Sequence, residues 1–507
     1  MKHEDGEPRI ALFQRSDKVS TYRHRLAPIS GSIDPSDGSP LSAAWREISE
    51  ETTLTPASLT LLRQGKSYSF SDASVRREWT IFPFLFRLKT PADEQHIQID
   101  WEHEAWSWHD PEEVIKNAEE GKLNGVPRLA ESLRRVWFET DLGPRAGKVL
   151  SDGLEQLAHD HESGARQLAG VAMQTLRGVI SEMDAPKSGP TDEWWTKVRF
   201  AAWHLWKNGR ESMGAAIMSA LLGGLAGLEE AMRKFQRSGA WREEVLRELD
   251  ARIMARQESA TMVSQALASF LKSSFPLKLE SHEPLSIMTL SESSTIRQAL
   301  EHIATKRGFV LDLRVLESRP LYEGISLAGS LAETLSAGST NLETPHKITL
   351  YSDASAALAA SNIDIIILGA DRIASSGAVS NKTGSLPAVL SARHVSPGVK
   401  VIVLGETDKI APPGRPEDHV VEDNDPSQIR RAWDVEYNGD RVRKAAGILQ
   451  AQKSEGITVE IRNIFFEWVP AHLIDVYITE SGELLTQHIA QYSVKLETEQ
   501  NRFFGSL

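Results

Sequence analysis

Glu47, Glu50 and Glu51 are spaced i, i+3 and i+4, so a helix through them would carry three carboxylates on one face. Like charges at that spacing repel. The face is satisfied either by a divalent hard cation with oxygen ligands, or by solvent with Arg46 neutralising part of it. A second group lies between residues 363 and 384. There an isoleucine-rich run from Ile363, stopped by Gly369, reads as a central parallel strand. Asp371 follows its carboxyl end, where open α/β sheets place ligands. Asn381 and Lys382 come next across Gly377, ahead of a helix-forming run. An amide, an ammonium and a helix amino terminus can therefore gather about an anionic ligand beside that carboxylate. The plainer reading makes Asp371 a turn cap and Lys382 a solvated charge.

The elements that must position these residues differ along the chain. Strands are predicted at 10–13, 67–70 and 79–86, where apolar, aromatic and β-branched residues concentrate. The glutamate helix starts at Pro40 with Ser39 as N-cap, and Leu41, Ala44, Trp45 and Ile48 face inward. Arg15, Lys18, Arg23 and Arg25 precede it and suit either a phosphate-bearing ligand or a solvated hairpin. Residues 141–147 read as a linker. Beyond them, 154–183, 193–206, 213–228 and 243–275 have helical periodicity. The tryptophans at 194, 195, 203 and 206 read as core, and 213–228 reads as a buried helix too short to span a membrane. Ser163-Gly164-Ala165 lies early in one helical stretch. Arg210 precedes the Gly/Ala-rich helix, where it could hold an anion or remain a surface arginine.

After Pro284, strands at 286–290, 309–315, 347–351, 363–370 and 400–405 alternate with helices, the pattern of a doubly wound parallel sheet. The first four end in polar residues: Ser291 to Thr295, Glu317 to Glu323 with Arg319, Ser352-Asp353, and Asp371. They should meet on one sheet edge, where hydroxyls and a helix start hold phosphate and Arg319 clamps it. No G-x-G-x-x-G follows a strand, so no dinucleotide cofactor is expected.

With 507 residues, the chain is too long for one ordinary core. A net charge of -13 argues against nucleic-acid or anionic-membrane binding, and the charged N-terminus lacks an apolar signal core. The absence of cysteine removes disulfides, thiolate nucleophiles and zinc-thiolate sites, and fits a reducing, cytoplasmic setting.

The order Arg46-Glu47-Ile48-x-Glu50-Glu51 after a Gly/Pro loop resembles the Nudix box, and the resemblance covers roughly the first 140 residues, through Trp108-His-Asp-Pro-Glu-Glu. It implies that Glu47, Glu50 and Glu51 hold Mg2+ or Mn2+, and that Arg46 orients a glutamate. The metal would polarise a diphosphate and deliver water to phosphorus. Glu104 is a candidate base. Two positions depart from the pattern: the upstream glutamate falls on Gly38, with Asp37 and Asp34 nearby, and the glycine after the box is Thr53.

From about Leu150 onward, Glu317-Ser-Arg-Pro, Gly369-Ala-Asp-Arg-Ile with Asn381-Lys-Thr-Gly, and Trp468-Val-Pro-Ala-His-Leu-Ile-Asp475 resemble a second superfamily. It comprises the initiation factor 2B alpha, beta and delta subunits, methylthioribose-1-phosphate isomerase and ribose-1,5-bisphosphate isomerase. The resemblance implies a helical subdomain, a Rossmann-like subdomain and a homo-oligomer. It makes Asp371 a catalytic aspartate, with Arg210, Arg319, Asn381 and Lys382 binding substrate. The isomerases' catalytic cysteine falls on Ser291, a phosphate-binding arginine on Ser163 and a sugar-binding glutamine on Glu323. A thiol titrates near pH 8.5 whereas a hydroxyl is a very poor acid, so sugar-phosphate binding is more secure than isomerisation.

The expectation is an α/β protein in three parts: a Nudix α/β/α sandwich with a mixed sheet over 1–142, a helical subdomain over 150–280, and a Rossmann-like doubly wound parallel sheet over 281–507. Its function would be Mg-dependent hydrolysis of a nucleoside-diphosphate-linked compound, joined to binding or aldose-ketose isomerisation of a pentose phosphate. The C-terminal half would need no cofactor. The alternative is a non-catalytic regulatory protein that pairs with translation initiation factor subunits.

Overall fold

The computed structural model describes residues 1–4, 7–160, 163–187, 189–235, 238–338, 345–416, 421–433, 439–451 and 459–507. In the N-terminal part, the strand Glu7–Arg15 lies between antiparallel partners, with His103–His109 on one side and Lys2–Glu4 and Leu26–Ala27 pairing along its ends. The expected strand at 79–86 is two strands, Arg77–Ile81 and Phe84–Leu88, which pair with Tyr68–Asp72 and Leu59–Gln64. The break falls at Phe82-Pro83, because proline has no N–H to continue a ladder.

The glutamate helix is Pro40–Thr52, capped by Ser39, whose hydroxyl accepts the Ser42 N–H at 3.1 Å. Ile48 is buried and Trp45 packs edge-on against Phe86 at 4.6 Å, so the apolar face closes on the strand Phe84–Leu88. Thr53 ends the helix at φ 60°, the left-handed conformation a glycine would adopt freely.

The stretch expected to be a linker is helical. Glu139–Leu142 and Pro144–His159 are separated only by Gly143, at φ 81°. The N-terminal part is locked here onto the helical block. Buried Arg63 donates to both carboxylate oxygens of Glu139 at 2.7 and 2.9 Å, to Ser151 at 3.1 Å, and lies over the Phe138 ring. Next to it, the Asn208 amide pairs with the Gln64 backbone, accepting at 2.6 Å and donating at 2.9 Å.

Five helices make the block: Pro144–His159, Ala165–Glu182, Asp192–Lys207, Gly214–Phe235 and Trp241–Ser274. Trp194 and Trp203 are in its core, while Trp195 and Trp206 contact Phe503 and Phe504 at its margin. The span Glu211–Phe235 is long and apolar enough to cross a membrane, but its Leu221, Leu225 and Leu228 are fully buried in this core.

The C-terminal sheet runs Lys347–Tyr351, Leu311–Leu316, Leu285–Leu290, Ile365–Leu368, Lys400–Leu404, Val476–Thr479, all parallel, and closes on antiparallel Gly482–Leu484. In sequence order these are strands 3-2-1-4-5-6-7, a doubly wound sheet whose direction of winding reverses between Leu285–Leu290 and Ile365–Leu368. Ser291 and Asp371 lie just past the ends of those two strands, at the crevice where such sheets bind ligands.

His204 is fully buried at the seam, with Asn208 Nδ2 at 2.8 Å from its Nδ1, and burial holds it neutral well below the usual histidine range. A depressed folded pKa contributes stability above pH ~6.5 that is lost as pH falls below it, by about 1.4 kcal/mol per unit. Thermal melts from pH 7 to pH 5 should therefore show a steeper fall for the wild type than for His204→Gln.

Candidate functional site

At the reversal point, Ser291 leaves its strand at φ 66° and donates its hydroxyl to Glu323 Oε2 at 2.7 Å. The other Glu323 oxygen pairs with Lys382 Nζ at 2.9 Å. Lys382 also lies 4.9 Å from the centres of the Phe465 and Phe466 rings, which shield it on one side. Asn381 and Lys382 end a strand, Val379–Lys382, held between Arg372–Ile373 and Phe466–Val469. Asn381 is buried, donates to Ser385 at 2.9 Å and abuts Gly369, where an added Cβ would come within 3.3 Å of its oxygen.

Asp371 lies among these groups. Its burial raises the carboxyl above the ordinary aspartate range, opposed by Lys409, Lys382 and Arg210 and reinforced by Glu323. Arg319, expected to clamp phosphate, is half-exposed and bonds Glu317 at 2.8 Å, yet it lines the same cleft as Glu323, Lys382 and Phe465. Arg210 is buried and already answered by Glu422 at 2.7 Å; it also donates to the Asp160 carbonyl. Asp160 accepts the Ser163 N–H at 2.8 Å, so Ser163 and Arg210 meet through that residue.

Sequence reading missed Lys409, Glu406 and Arg166. Glu406 and Lys409 are buried 3.4 Å apart beyond the strand Lys400–Leu404. Glu406 accepts from Thr295 at 3.1 Å, and burial is outweighed by Lys409 and Arg166, so its carboxyl is held below the usual range. Arg166, three residues after Ser163, donates to Ser294 at 3.1 Å and so brings a guanidinium to the helix Ser294–Arg307. Only a fifth strand end contributing to the crevice would have pointed to Glu406 and Lys409.

In the N-terminal part, Arg46 draws the first two glutamates to itself, bonding Glu47 at 2.8 Å and Glu50 at 3.2 Å. It also takes both oxygens of Asp37, at 2.9 and 3.2 Å, so Asp37 supplies the partner that Gly38 lacks. Gly31 makes room for Glu47, whose carboxylate an added Cβ would overlap. Glu51 is 3% exposed, its Oε1 bonds nothing, and His103 Nε2 stands 3.4 Å from its other oxygen. Burial, with Glu102, Glu47 and Asp100 nearby, pushes its pKa up to about 9. Glu104 is turned outward to His24, whereas Glu102, two residues earlier, is the carboxylate that acts on Glu51. Among the described residues, no three His, Cys, Asp or Glu side chains are gathered as a ready ligand set.

The family model described as the Initiation factor 2 subunit family matches residues 161–486, and the NUDIX domain model matches residues 2–129. The chain belongs to the initiation factor 2 subunit family. It carries a NUDIX domain ahead of the family domain, and its relatives include sugar-phosphate isomerases. A ribose 1,5-bisphosphate isomerase of Haloterrigena turkmenica is 26% identical over 68% of this chain and 92% of its own length. A methylthioribose-1-phosphate isomerase of Geobacillus thermodenitrificans is 27% identical over 46% of this chain and 64% of its own. A probable bifunctional methylthioribose-1-phosphate isomerase/methylthioribulose-1-phosphate dehydratase of Nocardia farcinica is 31% identical, with only 33% of its length spanned. Among solved structures, Pyrococcus horikoshii OT3 translation initiation factor eIF-2B aligns with a TM-score of 0.45 and 19% identity, over 67% of this chain and 97% of that one.

A raised folded pKa at Asp371 gives stability that is complete below the ordinary aspartate range and lost as pH rises through the folded value. The melting temperature of Asp371→Asn, relative to wild type, should therefore climb between pH 4 and pH 8; a constant difference would contradict the assigned shift.

Proposed function

We propose that the protein is an enzyme whose NUDIX domain hydrolyses a nucleoside-diphosphate-linked compound with Mg2+, and whose family domain binds a pentose phosphate and isomerises it. A cytoplasmic homo-oligomer assembled through the C-terminal half fits this reading. The observation that carries the first part is Glu51: a buried carboxyl with one oxygen bonded to nothing, held among Glu47, Glu102 and Asp100. Such a cluster is stable only with a proton or a cation, and its all-oxygen donor set is that of a hard divalent ion. Glu47 and Glu51 would hold the ion, with Glu50 joining on release from Arg46. When bound, it supplies Lewis-acid polarisation of a diphosphate and lowers the pKa of water. Arg46 orients Glu47 through their 2.8 Å bond.

In the family domain, Lys382 and Arg319 offer cations to a phosphate or sugar oxygen from one cleft. Asn381 precedes Lys382 on the same strand. Asp371 is the residue suited to move a proton between neighbouring sugar carbons, because burial keeps its carboxyl protonated to higher pH. Ser291 orients Glu323 instead of carrying that proton, since its hydroxyl is committed to the carboxylate. The same commitment favours a second reading, in which the domain binds sugar phosphate without turning it over.

Hydrolysis of a panel of nucleoside-diphosphate sugars with Mg2+ tests the first activity, with Glu51→Gln as control. The variant should lose at least a hundredfold in kcat/KM, and equal rates in both would reject it. Pentose phosphates should raise the melting temperature of wild type and not of Lys382→Met. Proton exchange at the sugar carbons that Asp371→Asn abolishes would establish isomerisation.

A further inference from the structure

The chain strapped across the end of the glutamate helix brings a histidine to Glu51. The Gln98 and Asp100 N–H groups donate to the Thr52 and Glu51 carbonyls at 3.1 and 3.3 Å, and Thr53 Oγ1 donates to the His96 carbonyl at 2.8 Å. His103 then opens the strand His103–His109, opposite Arg15, with its ring 5.2 Å from that of Phe13. Its side chain is 1% exposed.

The imidazole stands between two carboxylates. Nδ1 is 3.4 Å from Asp100 Oδ1, and Nε2 is 3.4 Å from Glu51 Oε2. Among the described residues neither nitrogen makes a hydrogen bond, and Glu51 Oε1 makes none either. A ring that only bridged the two carboxylates would close on them to about 2.7–2.9 Å, as charge-assisted hydrogen bonds do. Polar atoms left open in a buried place cost free energy unless something joins them. The order Asp100, His103, gap, Glu51 is that of a carboxylate–histidine–metal line, in which the outer carboxylate takes one ring nitrogen and frees the other for the ion. The gap has the right width. With metal–nitrogen and metal–oxygen bonds of about 2.1 Å, two ligands of a tetrahedral ion lie about 3.4 Å apart, against about 3.0 Å for an octahedral one. Asp100 is itself steadied, since Oδ1 also accepts the Glu102 N–H at 3.0 Å.

The glutamates of this face offer oxygen alone, the donor of hard ions such as Mg2+. An imidazole beside them suits zinc-like transition ions. We propose that His103 is a nitrogen ligand of the divalent ion at Glu51, with Asp100 as its positioning residue, so that the face binds Mg2+ through oxygen but holds a four-coordinate ion of the Zn2+ and Co2+ class more tightly through oxygen and nitrogen. This rests on the reading that Glu51 holds a divalent cation, and it changes which cation fits best. Glu51 and His103 fill two positions, and the others fall to Glu47, to water or to a diphosphate oxygen.

Optical titration of the full chain with Co2+, set beside calorimetric titration with Mg2+, tests this. Wild type should take one Co2+ per chain with the strong visible band of a four-coordinate ion. His103→Gln should weaken Co2+ at least tenfold and leave Mg2+ within threefold, whereas a merely structural histidine would move both ions alike. Asp100→Asn should weaken Co2+ at least threefold, and equality with wild type would strike its positioning role. X-ray absorption of wild type loaded with one Zn2+ should show imidazole scattering, which decides the matter should His103→Gln fail to fold. The proposal is overturned if His103→Gln binds Co2+ within threefold of wild type, if it loses both ions equally, or if bound Zn2+ shows no imidazole. Any of these leaves the reading of Glu51 standing provided that Glu51→Gln weakens Mg2+. If Glu51→Gln weakens neither ion, both readings fall.

Discussion

A carboxylate taken out of water must find a cation or keep its proton, and both sites are arranged around how that demand is met. Glu422 meets it with Arg210, and Glu406 with Lys409 and Arg166; both stay below the usual range despite burial. Asp371 has three cations within electrostatic reach and is still raised, because none is committed to it. Among the described residues Glu51 has only His103 beside it, which burial holds toward its neutral form, and its other neighbours are acidic. The first two are fixed structural charges. The last two are left open, and they are the positions at which chemistry is proposed.

Local rigidity makes that openness sustainable. Glu323 is held from both sides, by Ser291 and Lys382, so the cleft beside Asp371 has a fixed wall. In the NUDIX domain, Arg46 gathers Asp37, Glu47 and Glu50 and leaves Glu51 to face inward with Glu102 and His103. The two departures from the box are compensated in different ways. Asp37, one residue before Gly38, binds Arg46, whereas Thr53 keeps the left-handed cap and gains a bond to the His96 carbonyl at 2.8 Å. Left-handed backbone costs a β-branched residue roughly 1–2 kcal/mol, and one hydrogen bond offsets about half of that.

Much of this was legible in the sequence because it depends on local pattern. Five of the six parallel strands lie within two residues of where apolar runs place them, while Val476–Thr479 was not anticipated, and Ser39 caps the helix that Pro40 begins. The strand at 79–86 was misread because a proline interrupts an otherwise uniform aromatic run. The supposed linker at 141–147 has linker composition, but Arg63, some seventy residues earlier, binds Glu139 and fixes the chain there. Partners this far apart leave no periodic trace. Lys409, Glu406 and Arg166 were missed for the same reason: each is an ordinary charged residue until the sheet order brings its strand or helix to the crevice.

The central claim is that the Glu51 face is a divalent-cation site. Titration of the full chain with Mn2+, followed by electron paramagnetic resonance of the free ion, measures it without any assumed substrate. Wild type should bind Mn2+ saturably at this face, displaced by Mg2+, and Glu51→Gln should weaken that binding at least tenfold. Equal Mn2+ affinity in the two proteins would contradict the account.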